Sequence, residues 1–141
     1  MKIASVYPVL ITDRVAETAD FYRRWFGFED TFGSEWYVSL RHPAAPAQEL
    51  AVLQLGHPTI PEGFSAPSRG VLINVEVEDA ESAFRTLTGS GSVRVALPLR
   101  DEEFGQRHFI VVDPSGNLVD VIQNIAPSAD FAANYVEGIS D

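Results

Sequence analysis

The chain has no cysteine among its 141 residues, which excludes a disulfide framework, a thiolate nucleophile, a zinc–cysteine cluster and an iron–sulfur centre together. Any metal would have to be held by carboxylates and by the three histidines. Basic residues are also scarce. Ten Lys and Arg stand against twenty Asp and Glu, a formal charge of −10. Affinity for nucleic acid comes from cations that displace counterions along the phosphates, and here the few cations are scattered. The balance therefore argues against a nucleic-acid partner and for a neutral or cationic one, although the same charge also keeps a chain soluble. No apolar run approaches the ~20 residues needed to span a bilayer. The start, Met1-Lys2-Ile3-Ala4-Ser5, enters strand-like sequence without the apolar stretch and cleavage site of a secretory leader. The expected location is the cytoplasm, with no membrane partner. A glycine-rich phosphate loop, a Ser-His-Asp order and a basic aromatic platform are missing too.

What remains is ordinary globular material, 45% hydrophobic and 21% charged, about one domain long. Ile3 to Ile11 reads as a strand that ends at Thr12-Asp13, with Asp13 as a helix cap. From Val15 to Phe26 the apolar residues Val15, Ala19, Tyr22, Trp25 and Phe26 recur at threes and fours, and Gly27 is placed to stop the helix. Phe28 to Phe32, Trp36 to Arg41 and Glu49 to Leu55 follow as short strands. A connector over 57–69, broken by Pro58, Pro61, Gly63 and Pro67, separates this module (about 1–56) from a second one (about 70–126).

The second module opens on the clearest strand, Gly70 to Val77. Val71, Ile73, Val75 and Val77 make one apolar face, and Leu72, Asn74 and Glu76 lie on the other. Asp79 caps a helix reaching about Leu87, and Val93 to Leu97, Arg107 to Val112 and Leu118 to Gln123 supply three more strands. Asp13 and Asp79 are 66 positions apart, each after a strand and before an amphipathic helix, so the order is duplicated. The expected fold is α+β: two β-α-β-β-β modules, eight strands forming a curved sheet, each helix on an apolar face and a partly polar cleft on the other side. The tail, 127–141, carries Phe131 and Tyr135 four apart, the spacing of one face of a short helix.

Arg107-His108-Phe109-Ile110-Val111-Val112-Asp113-Pro114-Ser115-Gly116-Asn117-Leu118-Val119-Asp120 resembles the last hairpin of the glyoxalase/bleomycin-resistance/dioxygenase group, the vicinal oxygen chelate superfamily. Its Asp-Pro-x-Gly-Asn turn has a physical basis, since Pro presets φ, Gly takes the left-handed position and Asp and Asn tie the turn to its own backbone. The opening strand, Thr12-Asp13 and the Phe21-Tyr22-Arg23-Arg24-Trp25-Phe26-Gly27-Phe28 run are similar to the same group's start, and the likeness covers about residues 3 to 125. In metal-using members it implies four ligands, a His or Gln on the first strand of each module and a Glu on the last. Those places fall on Val6 or Tyr7, on Leu72, on Val52 with Gln54 the nearest polar group, and on Asp120. One oxygen ligand of four does not hold a divalent cation. The resemblance thus implies a member without metal or other cofactor, a homodimer that sequesters bleomycin-like antibiotics. Glu103-Phe104-Gly105-Gln106-Arg107-His108-Phe109 and Ser34-Glu35-Trp36-Tyr37-Val38 are similar to segments of those proteins.

The expected ligand contacts are Trp36, Gln54, Asn74, Glu76, His108 and Asp120, around an aromatic or cationic small molecule. Asp120 faces the cleft if Val119 and Val121 face the helix, and a carboxylate there must be solvated or paired. His108 is its natural partner across the 113–116 turn, but a register slip of one residue would put the two on opposite faces. On one face the pair is either a satisfied contact or a proton shuttle. Trp36 is either a stacking wall or core. His42 and His57, beside prolines, are expected in solvent, as is the acidic run Asp101-Glu102-Glu103. The rival expectation is an enzyme, a lyase, isomerase or dioxygenase that uses a metal or the His-Asp pair.

Overall fold

The structure is a computed structural model and describes residues 1–136. By packing it divides into two units, Met1–Val71 with Asp113–Asn117, and Leu72–Val112 with Leu118 onward.

In the first unit, α1 (Val15–Phe26) forms where the three-and-four spacing predicts it and buries Val15, Thr18, Ala19, Phe21 and Tyr22. Gly27, at φ +73°, ends it by sending its N–H back to the Arg23 carbonyl. Asp13 does not cap it, contrary to the sequence reading. Thr12 is buried at the end of the preceding strand, and its hydroxyl accepts from Arg14 N at 3.1 Å, so the chain turns on Thr12 and Asp13 is left exposed. Four strands, β1 (Val9–Thr12), β2 (Glu29–Gly33), β3 (Tyr37–His42) and β4 (Ala45–Gln54), order as β1-β4-β3-β2, with β1 parallel to β4 and the other pairs antiparallel. Alternation sends Leu10, Val38, Leu40, Leu50 and Val52 into the core against α1. The first strand starts at Val9 rather than Ile3. Proline has no N–H for a ladder, and Pro8 contributes only its carbonyl, which accepts from Ala51 N.

The second unit repeats the order as β5-β8-β7-β6, built from β5 (Leu72–Glu76), β6 (Arg94–Glu102), β7 (Gln106–Val112) and β8 (Leu118–Asn124), with β5 parallel to β8. The eight strands thus form two four-stranded sheets. Between β5 and β6 lies α2 (Ala80–Thr88), and here the expected cap is in place: Asp79 Oδ1 accepts from Ser82 N at 3.0 Å. Phe84 of α2 meets Phe109 edge to face at 5.1 Å, over a floor that includes Val111, Val119 and Val121, all fully buried. The chain then forms one short helix, α3 (Ala129–Ala132). The last five residues of the tail expected to be helical lie outside the described residues.

The turn at 113–117 groups with the first unit. Asp113 is buried; its Oδ1 accepts from Ser115 N and Asn117 N at 2.9 and 3.0 Å, and its Oδ2 accepts from the Tyr22 hydroxyl at 2.6 Å. Gly116, at φ +88°, supplies the left-handed step. Burial first, then the adjacent Asp113 charge and hydrogen bond, push the Tyr22 hydroxyl far above its ordinary pKa. Below about pH 10 both folded and unfolded chains keep this proton; above it only the unfolded chain loses it, so the stability present below that pH falls by up to about 1.4 kcal/mol per pH unit. Urea midpoints followed from neutral to alkaline pH should show this slope in the parent chain and a shallower one in Tyr22→Phe, where Tyr37, also raised above its ordinary pKa by burial, still contributes.

Candidate functional site

The second sheet has one face under α2 and one face free of it. Val119 and Val121 are buried on the helix side, which places Leu118, Asp120 and Ile122 on the other face of β8. On β5 the same alternation presents Leu72, Asn74 and Glu76, all exposed, opposite the half-buried Ile73 and Val75. The parallel register pairs Asn74 with Asp120, and the antiparallel one pairs Ile110 with Asp120 and His108 with Ile122. That register settles the slip left open by the sequence: His108 and Asp120 share a face, one diagonal step apart. His108 Nδ1 lies 2.8 Å from Asp120 Oδ1, with both side chains more than nine-tenths buried. An ionised carboxylate only accepts, so Nδ1 carries the proton and donates it.

Two further residues join them. On β6 the ladder sets Arg100 opposite His108, and Arg100 grips Glu102 through both carboxylate oxygens, Nε to Oε1 at 3.0 Å and Nη2 to Oε2 at 3.2 Å. Glu102 Oε2 is 3.4 Å from His108 Nε2, an ion-pair contact when the imidazole is protonated, and Nε2 has no other partner among the described residues. Arg100, and secondarily His108, hold the Glu102 carboxyl below its usual pKa. Asn74, Asp120, His108, Glu102 and Arg100 thus form a polar track across all four strands. Arg100 and Glu102 were missed by the sequence reading, which put residues 101–103 in a solvated acidic loop. The structure corrects this. β6 runs through Glu102, and Asp101, on the opposite face, is paired with Arg107 at 2.8 and 3.0 Å.

The other expected contacts lie in the first unit. Gln54 pairs with Thr12 and continues the Leu50–Val52 alternation, which puts it on the α1 side of its sheet rather than on the free face. Trp36 is 40% exposed and stacks on His57, rings 4.1 Å and 10° apart. His57 is therefore not simply solvated, because the flat imidazole covers indole surface. Nor is His42, whose Nε2 bonds the Phe26 carbonyl at 2.8 Å at the end of α1.

The four ligand positions implied by the resemblance do not suit a cation. Leu72 and Val6 are exposed hydrocarbon, Val52 is buried beneath α1 and Tyr7 is a phenol outside any strand. Among the described residues no three His, Asp or Glu side chains are grouped to hold a metal ion.

A profile described as the Glyoxalase/Bleomycin resistance protein/Dioxygenase superfamily matches residues 4–121. No curated protein sequence matches. Among solved structures, a member of the Glyoxalase/bleomycin resistance protein/dioxygenase superfamily from Sphaerobacter thermophilus DSM 20745 is similar with a TM-score of 0.69 at 24% identity, over 87% of this chain and 98% of that one. TioX from Micromonospora sp. ML1 is similar with a TM-score of 0.64 at 19% identity, over 87% and 100%. Lactoylglutathione lyase from Agrobacterium tumefaciens is similar with a TM-score of 0.66 at 17% identity, over 86% and 95%. Identities this low carry the fold alone. No helix among the described residues is long and apolar enough to cross a membrane.

Proposed function

The chain belongs to the glyoxalase/bleomycin resistance protein/dioxygenase superfamily, and from that premise we propose that it is a homodimeric, small-molecule-binding member that needs no resident metal. Its ligand, aromatic or cationic, would sit on the free face of the second sheet, over Asn74, Glu76, His108 and Asp120, and be sequestered with no bond broken. The observation that carries this reading is the contrast along that face. Leu72 stands where a chelating imidazole would be required, while the same face offers exposed Asn74 and Glu76 beside the His108–Asp120 pair. Such a face can orient a guest through a few polar groups set in apolar surroundings, as binding sites commonly do. The net charge of −10 favours a cationic one.

Calorimetric titration of glycopeptide and polyaromatic antibiotics with a metal-free sample tests the reading. Saturable binding is expected, weakened at least about tenfold by Glu76→Ala and Asn74→Ala together, since two lost hydrogen bonds of ~1 kcal/mol each exceed the 1.4 kcal/mol per decade. No saturation across such a panel would count heavily against it. Light scattering on the same sample is expected at twice the 15.5 kDa chain mass.

The His108–Asp120 hydrogen bond favours a second reading, an acid–base lyase or isomerase, because a carboxylate that fixes the imidazole tautomer is what proton transfer requires. Turnover lost in Asp120→Asn, with ligand binding retained, would favour that reading over sequestration.

A further inference from the structure

Residues 125–135 lie beyond position 121, where the family match ends, and the proposed function does not use them. They pack on the tip of the β6–β7 hairpin, Glu103-Phe104-Gly105, and take all three of its carbonyls. Ile125 N donates to Gly105 O at 2.9 Å, Ser128 N donates to Glu103 O at 2.7 Å, and the Tyr135 hydroxyl donates to Phe104 O. Phe131 adds an edge-to-face contact with Phe104, ring centres 6.4 Å apart. The approach depends on Gly105. At φ +109° it holds a backbone conformation that side chains disfavour, and a Cβ there would come within 3.0 Å of Ile125 O and 3.1 Å of the Tyr135 hydroxyl.

Specific as these contacts are, they bury little. No residue of α3 is buried, and Tyr135 and Phe104 stay 58% and 40% exposed. Closure also strands a polar group: Ser128 Oγ is buried without a hydrogen-bond partner among the described residues, and it makes no cap bond to α3 that would compensate. Segments with few apolar contacts open on their own, ahead of the structure beneath them. We propose that residues 125–135 are a strap that opens and closes on the hairpin while the second sheet stays folded, and that the closed strap holds Glu102 against His108.

The hairpin makes the connection. Glu102 is the last residue of β6 and pairs with Gln106, and the three strapped carbonyls belong to the residues between them. Gln106 pairs in turn with Asn124, the end of β8, from which the strap departs. A fixed tip keeps the Glu102 carboxylate, gripped by Arg100, 3.4 Å from His108 Nε2. With the strap open the three carbonyls turn to water, the tip is held by its own turn bond from Gly105 N to Glu102 O, and Glu102 can swing away from the imidazole. Opening needs no ligand, so the strap stands or falls independently of the proposed function.

The test is amide hydrogen exchange followed by NMR on the full chain. The Ile125 and Ser128 amides are expected to exchange at least about tenfold faster than those of Val119 and Val121 in β8. Tyr135→Phe and Phe131→Ala, which each remove one strap contact and leave the hairpin intact, should speed the strap amides about tenfold apiece, and Ser128→Ala, which removes the stranded hydroxyl, should slow them about tenfold. Val119 and Val121 should not respond to any of the three. In Tyr135→Phe/Phe131→Ala the His108 ring resonances should move toward their positions in Glu102→Gln, which lacks the carboxylate charge. Equal protection at Ile125, Ser128 and Val121, or strap amides indifferent to the substitutions, would overturn the strap. His108 resonances that stay in place in the double variant while its strap amides lose protection would overturn its hold on Glu102.

Discussion

Asp113→Ala is expected to cost about 3–5 kcal/mol and to lower the melting temperature by about 10 °C or more, the largest loss from any single side chain in the turn. The reason is the number of groups it leaves stranded. One buried carboxylate accepts from Tyr22 Oη, Ser115 N, Ser115 Oγ and Asn117 N. Alanine accepts from none, and a buried donor without a partner carries its full desolvation penalty of ~1–3 kcal/mol. Tyr22 is completely buried and Asn117 nearly so, which leaves water little access to compensate. Tyr22→Phe removes one donor and leaves the carboxylate its other partners, so it should cost only about 1–2 kcal/mol. Urea melts of the two variants give the ranking. If Asp113→Ala proves as mild as Tyr22→Phe, the carboxylate is not the hub of the turn.

This turn was legible in the sequence because its residues are demanded locally: Pro114 for φ, Gly116 for positive φ, and Asp113 for a side chain that bonds its own backbone. The β5 alternation was legible for a similar reason, since period-two apolarity has one meaning when a helix follows. Tertiary choices were not. Asp13 is not the cap because α1 begins one residue later, with Arg14 at the N-cap position and no side-chain cap bond, while Thr12 Oγ1 accepts from Arg14 N in the turn before it. Gln54 does share a face with Val52, as the sequence reading has it, but the Leu10–Val52 and Thr12–Gln54 pairings put that face under α1, and only the β1–β4 register reveals which side the helix covers.

The site shows the same division. His108 and Asp120 could be named from one strand each, whereas their contact needed the hairpin register. Arg100 and Glu102 did leave a signal, an opposite-charge pair two apart, which on a strand means one face. Reading 101–103 as a loop hid it. Acidic runs usually are solvated, and only the ladder, which carries β6 on to Glu102 and sets it opposite Gln106, reveals that this one enters a sheet.

Asp120→Ala should destabilise the protein by about 2–4 kcal/mol, because it strands the Nδ1 donor of an imidazole whose Nε2 already lacks a partner. The sharper experiment removes both. In His108→Leu/Asp120→Leu no polar group is left unpaired there, and apolar replacement of a buried pair is commonly neutral or stabilising, so the double variant should recover most of the loss. Its melting temperature should approach that of the parent chain. A pair kept only as a satisfied contact would leave ligand binding untouched in this refolded background. A pair that belongs to the site predicts the opposite, a stable protein that no longer binds. Measured together on the double variant, stability and ligand titration therefore separate the two roles: binding at parental strength would remove His108 and Asp120 from the site, and its loss in a fully folded protein would assign them to it.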